Sequence, residues 1–341
     1  MDLISFLKTI SKMQLNDNDK IFLMNNVGFI TEKEYQLLER HKINLILFKH
    51  LRCLNKISNL NSGKMKQYSN QLFVLQQQYK EYLDVLFQIL NVFEKNNIQY
   101  AVLKGFSFAK ELYSQKNIIY RAFIDVDILI DTKNCSKVTQ IMEKNQFIQG
   151  KVVDDAIVPI NRSEKIYWIL NSHQLPEFIR FSKYANISPK YWLEFDINTT
   201  IFEGGKKTDP IPTSSVLTNI QKKEFIQREG YYVLTPKYNL IQLCYHFYKD
   251  TVYETKKKSH NDYCLIKFCD IREFIFHFRE EIDWSEFVKI VNEFNIGDQI
   301  YYSLYLVSSF YGDLGIEEIL KEIKTTPLFS IGFLDWERML L

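Results

Sequence analysis

Residues 99–130 read QYAVLKGFSFAKELYSQKNIIYRAFIDVDILI, and the fold follows from how they alternate. Ala101-Val102-Leu103 is a short apolar run, Lys104-Gly105 interrupts it, and Phe106, Ala109, Leu112 and Tyr113 then recur at helical spacing. That order predicts a strand, a glycine turn and a helix. After a polar loop, Asp125-Val126-Asp127-Ile128-Leu129-Ile130 predicts a second strand carrying two aspartates two positions apart. Alternate residues of a strand share a face, so both carboxylates point the same way.

Two carboxylates on one face of an apolar strand repel each other and are costly to desolvate. Either the strand leaves them facing water, or a cation offsets them. Mg²⁺ takes one or two carboxylates, several waters and phosphate oxygens, which is the ligand set of a phosphoryl or nucleotidyl transfer site. The upstream turn fits the second alternative. A glycine after a strand lets backbone N–H groups and a helix N-terminus approach a phosphate, with Lys104 and Arg121 at hand to neutralise it.

A further strand is predicted at Tyr191-Trp192-Leu193-Glu194-Phe195-Asp196-Ile197, with Glu194 and Asp196 on one face and Leu193, Phe195 and Ile197 on the other. It repeats the acidic alternation of Asp125 and Asp127, and is the natural place for a third carboxylate.

Leu103-Lys104-Gly105-Phe106-Ser107-Phe108-Ala109, Leu112-Tyr113, Arg121 and Asp125-Val126-Asp127 resemble the core of the uncharacterised bacterial nucleotidyltransferase family, within the polymerase-β-like superfamily. Thr235-Pro236, His246, Asp270-Ile271 and Ile282-Asp283-Trp284 resemble features of that family's helical half, so the likeness runs from about residue 70 to 311. The resemblance implies an α/β (α+β) nucleotidyltransferase core with a mixed sheet. It implies that a nucleoside monophosphate passes from an NTP, with ATP the commonest donor, to a hydroxyl acceptor. Two Mg²⁺ ions would be held by Asp125, Asp127 and Glu194, with Asp196 as the alternative third ligand. Lys104, Gly105, Ser107 and Arg121 would bind the nucleotide phosphates. The sequence departs from the family in placing Ser107 one position later than the usual glycine-serine turn, and in carrying Asp196 where the family has a histidine.

With 341 residues and 46% hydrophobic content, the chain can bury a large core. The division expected is a helical N-terminal segment (1–68), the catalytic core (69–230) and a helical C-terminal domain (231–341). A long amphipathic helix is expected over 67–96, ended by Asn96-Asn97, and another to about Lys144, capped by Asp131 or Thr132. Residues 151–190 read as irregular apart from a strand at 165–170. Thr235 is expected to cap a helix opened by Pro236. Gly204-Gly205-Lys206-Lys207 lacks P-loop spacing and reads as a turn.

Basic and acidic residues nearly cancel, 43 against 41, for a formal net charge of +2, so nothing demands a nucleic-acid partner. A small molecule, peptide or protein acceptor is favoured over RNA. Five scattered cysteines without a C-x-x-C pair read as reduced thiols, and no apolar run reaches about 18 residues, so a cytoplasmic protein without a membrane span is expected. His41 and His50 read as surface or capping residues, and His246 and Asp270 as a buried polar pair. Arg272 and His277 have the R-x-x-x-x-H spacing of a ribonuclease motif. The large helical share and the displaced serine of Gly105-Phe106-Ser107 leave an alternative, a non-catalytic or toxin–antitoxin-type partner protein, and the Arg272/His277 spacing would give it a nuclease-like helical half.

Overall fold

The computed structural model describes residues 2–183, 192–202, 209–225, 228–252, 264–327 and 340; the Gly204–Lys207 turn lies outside them. By internal contacts the chain divides into two units. One comprises Met1–Leu75, Phe108–Ala122 and Leu243–Leu341, the other Gln76–Ser107 and Phe123–Gln242.

The second unit holds an eight-stranded mixed sheet. Its strands are β1 (Tyr100–Val102), β4 (Asp125–Ile130), β5 (Ile148–Val153), β6 (Ala156–Pro159), β7 (Phe178–Phe181), β8 (Trp192–Asn198), β9 (Ile220–Phe225) and β10 (Arg228–Leu234). They lie in the order β6-β5-β7-β8-β4-β1-β10-β9. β4 runs antiparallel to β1 and parallel to β8, and β1 runs parallel to β10. The mixed sheet expected of an α/β core is present.

Alternation along β4 and β8 sorts the two faces. Val126, Ile128, Ile130, Leu193, Phe195 and Ile197 point into one apolar cluster, joined by Tyr82, Leu86 and Phe93 of the Ser62–Lys95 helix and Val138 and Met142 of the Cys135–Lys144 helix. Both helices end the same way. Asn97 and Gln146 take left-handed φ of 54° and 67°, and the next N–H reaches back five residues, Ile98 to Phe93 and Phe147 to Met142. Each is a Schellman stop, satisfying carbonyls the helix end would leave bare. The Asp131 carboxylate accepts from Lys133 N–H at 3.0 Å to open the turn ahead of the second helix, as expected.

Residues 151–183, the described part of the 151–190 stretch, are more regular than the sequence suggests. β5 and β6 form a hairpin, and the segment expected as a strand at 165–170 is a helix, Arg162–Asn171. The reason is a capping box: the Asn161 side chain accepts from Glu164 N–H at 2.9 Å, and Glu164 accepts from Asn161 N–H at 2.9 Å. Two orphan donors satisfied at the first turn outweigh the strand preference of Ile166-Tyr167-Trp168-Ile169.

The first unit is helical apart from a small hairpin of β2 (Ser114–Gln115) and β3 (Ile118–Ile119). His41 and His50 correct the surface expectation, being 0% and 3% exposed. His41 Nε2 meets the carbonyl of Leu340 at 2.7 Å, and His50 Nε2 that of Lys12 at 2.8 Å. Burial pushes both imidazoles down, to about 4 and about 3, so both are neutral hydrogen-bonding groups. The helix expected after Thr235 does open at Pro236, with the Thr235 carbonyl accepting from Asn239 N–H at 2.9 Å, but the buried Thr235 Oγ1 has no hydrogen-bond partner among the described residues and so gives no side-chain cap. No described helix is long and apolar enough to cross a membrane.

Candidate active site

The register between β4 and β8 builds the site. Asp125 lies beside Glu194, Asp127 beside Asp196 and Leu129 beside Asn198. Because the strands are parallel and in step, the four carboxylates form two adjacent rows on the face turned away from the apolar cluster. Tyr82 locks this alignment at the strand entrances. Its hydroxyl donates to the carbonyl of Ile124 at 2.6 Å and accepts from Glu194 N–H at 2.9 Å, tying one strand to the other. Its ring packs against Phe106, Phe123 and Phe195.

On the other side of β4 stands the turn after β1. Leu103 N–H donates to the carbonyl of Asp127 at 2.9 Å, so the chain leaves β1 still bonded to the acidic strand. Lys104 then adopts a left-handed φ of 52°, a conformation that disfavours a side chain by about 1–2 kcal/mol. The strained residue is therefore the lysine and not Gly105, which lies inside the helix Lys104–Tyr113. The turn aims the Lys104 ammonium at Asp127 Oδ1, 2.7 Å away. Ser107 is 2% exposed and its hydroxyl donates to the Lys104 carbonyl at 2.7 Å, bracing the turn.

Burial, with the crowding of carboxylates, governs the charge states. Burial, reinforced by Glu177 and Asp125, raises Glu194 to about 7. Burial and the neighbouring Asp127 and Asp125 raise Asp196 well above the usual carboxylate range. Lys104 stays charged: its three acidic neighbours Asp127, Asp125 and Asp196 outweigh the cost of its burial. Glu177, just ahead of β7, is itself raised by burial and by Asp125, and so belongs to the same acidic array.

Asp127 Oδ1 accepts a second hydrogen bond from Asn198 Nδ2 at 3.0 Å. Asp196 Oδ1 is buried and accepts none from the described residues. A buried carboxylate oxygen without a donor, beside three further carboxylates, is a set of hard oxygens that suits Mg²⁺. Among the described residues no three His, Cys, Asp or Glu side chains are gathered as a ready metal cluster. What the fold supplies is the in-register backbone, with an ammonium drawn onto one of its carboxylates.

Sequence reasoning named Asp125, Asp127, Glu194, Asp196, Lys104, Gly105 and Ser107, and all lie in the sheet-bearing unit. It missed Glu177 and Asn198. Asn198 was within reach of the same alternation, which continues one step beyond Asp196. Arg121 lies in the helical unit, where its Nε and an Nη bind the two oxygens of Asp270 at 2.8 and 2.6 Å, and the Tyr113 hydroxyl donates to Asp270 at 2.7 Å. Asp270 therefore does not pair with His246, which meets Asp250 at 3.3 Å one turn along its own helix. Arg272 is occupied by Glu273 and Asp313, while His277 is exposed. Five helical positions turn about 140°, so those two side chains do not share a face.

No curated protein matches the chain. Among solved structures, the crystal structure of an antigenic nucleotidyltransferase-like protein from Paracoccidioides brasiliensis is 14% identical, covers 73% of this chain and 96% of its own, and superposes with a TM-score of 0.38, too slight a likeness to argue from. The family model for uncharacterised nucleotidyltransferases matches residues 31–312, most of the chain, and to that family this protein belongs.

Proposed function

We propose that the protein transfers a nucleoside monophosphate from an NTP, with ATP the first donor to test, to a hydroxyl group of a small molecule, peptide or protein. The observation that carries this reading is the register that sets Asp125 and Asp127 beside Glu194 and Asp196. Asp125 and Asp127 would hold one or two Mg²⁺ ions, with Glu194 or Asp196 as the third carboxylate. Bound there, Mg²⁺ supplies positive charge for the triphosphate and acidifies the attacking hydroxyl.

The chain's own groups do the rest. Lys104 can exchange its contact with Asp127 for a phosphate oxygen, because its left-handed turn keeps the ammonium at the acidic face. Gly105, behind that turn, leaves room for phosphate to approach the backbone. Ser107 acts through Lys104, whose carbonyl it holds. Glu194, raised to about 7, is suited to take the proton of the acceptor hydroxyl near neutral pH. In-line attack on the α-phosphorus forms the new phosphate ester, and pyrophosphate leaves.

The test is Mg²⁺-dependent binding of each ribonucleoside triphosphate, followed by transfer of a labelled monophosphate to an acceptor in an extract. Asp127→Asn should abolish both while the circular dichroism spectrum is retained. A folded Asp127→Asn protein with wild-type transfer would refute the assignment.

A further inference from the structure

We propose that Asn198 is the positioning residue of Asp127: its amide holds one carboxylate oxygen, Oδ1, so that the other is presented to a divalent cation. The inference rests on the metal-dependent reading above and adds a residue to it. Asn198 ends β8 and is 1% exposed. Its Nδ2 lies 3.0 Å from Asp127 Oδ1 on the neighbouring strand and 3.2 Å from the Asp196 carbonyl on its own. The amide has only one workable orientation. Turned over, it would set its oxygen against a carboxylate and a carbonyl, two acceptors with no proton between them.

The residue is also held firmly. Leu175 N–H donates to the Ile197 carbonyl at 2.8 Å and Thr199 N–H to the His173 carbonyl at 2.8 Å, so the backbone on both sides of Asn198 is tied to one neighbouring segment. Asn198 itself bridges to Gln174 within that segment.

Two donors meet on Asp127 Oδ1, and they differ in kind. Lys104 is a cation on a flexible stem with a 21% exposed side chain. It repels an incoming dication and is drawn toward phosphate. Asn198 is neutral, buried and short. It fixes the carboxylate plane without adding positive charge, and it remains when the ammonium departs. Donors of this sort behind a metal ligand are worth about 10–100-fold in metal affinity or activity.

The experiment titrates Mn²⁺ into the nucleotide-free full-length protein, following free Mn²⁺ by electron paramagnetic resonance, with thermal melting alongside. Asn198→Leu keeps the volume and removes the donor. Asn198→Ser is milder: it keeps a small polar side chain but shortens it by one bond, so the 3.0 Å contact with Asp127 is lost. Both should weaken Mn²⁺ binding about 10–100-fold, with Asn198→Ser melting close to wild type. A purely structural role would lower the melting temperature and leave Mn²⁺ affinity unchanged, which would overturn the inference. Wild-type Mn²⁺ affinity in Asn198→Ser, together with its loss in Asp127→Asn, would overturn this inference alone. No difference between wild type and Asp127→Asn would overturn the metal-dependent reading and this one with it.

Discussion

Removing one oxygen atom from Tyr82 should loosen the acidic array without touching a carboxylate. In Tyr82→Phe the ring remains packed among Phe106, Phe123 and Phe195, so the apolar contribution is retained. Two hydrogen bonds are lost: the one to the Ile124 carbonyl at 2.6 Å and the one from Glu194 N–H at 2.9 Å. Both bonds are part-buried, so each is worth about the 0.5–1.5 kcal/mol of a typical intramolecular hydrogen bond, and the pair should cost roughly 1–3 kcal/mol. That is a large share of a typical stability of about 5–15 kcal/mol. Urea unfolding followed by tryptophan fluorescence reports the loss directly, because Trp192 opens β8. The midpoint should fall with little change in slope. Because the same hydroxyl aligns Asp125 with Glu194, the nucleotidyl transfer proposed above should fall as well, at temperatures where the variant is fully folded. A stability change below about 0.5 kcal/mol would show that the hydroxyl does not clamp the two strands, and the reasoning from register to site would fail with it.

Other outcomes follow from the charges and caps. Glu194 sits above its ordinary value of 4.5, at about 7, so the folded protein holds more protons than the unfolded chain between those values. The stability of the metal-free protein should therefore fall as pH rises through that window, and Glu194→Gln should flatten this limb of a pH series of urea midpoints. Asp270→Asn leaves the Arg121 guanidinium buried without its counter-charge and should destabilise the chain by about 3–5 kcal/mol, whereas Arg121→Met with Asp270→Leu should cost far less; denaturant unfolding of the three variants distinguishes a broken pair from an absent one. Asn161→Ala removes the capping side chain of the Arg162–Asn171 helix and should cost about 1 kcal/mol, with increased amide exchange confined to that helix.

How much of this was legible in the sequence depended on whether a residue's partner lay nearby in the chain. The alternation in Asp125–Ile130 and Trp192–Ile197 identified both acidic strands and sorted their faces correctly, since period two is a property of the backbone itself. The strand–turn–helix at Lys104 was equally clear, although the strain fell on the lysine and not on the glycine. At Asn161-x-x-Glu164 the capping signal stands in the sequence itself, and in the fold it outweighs the strand preference of the residues that follow. Long-range partners were not legible. Nothing near Arg121 in the chain announces Asp270, nothing near His41 announces Leu340, and the pairing of Asp127 with Asn198 exists only once two strands lie in register.

The salt bridge between Lys104 and Asp127 also bears on how the protein is made. Many metal sites are assembled only when the ion arrives, because the bare ligands repel one another and folding waits for loading. Here the chain brings its own counter-charge to the acidic strands, the Lys104 ammonium on Asp127. If Mg²⁺ binds there as proposed, folding should run to completion before it arrives. Chelation should silence such a protein without unfolding it, and restored ions should find a finished scaffold.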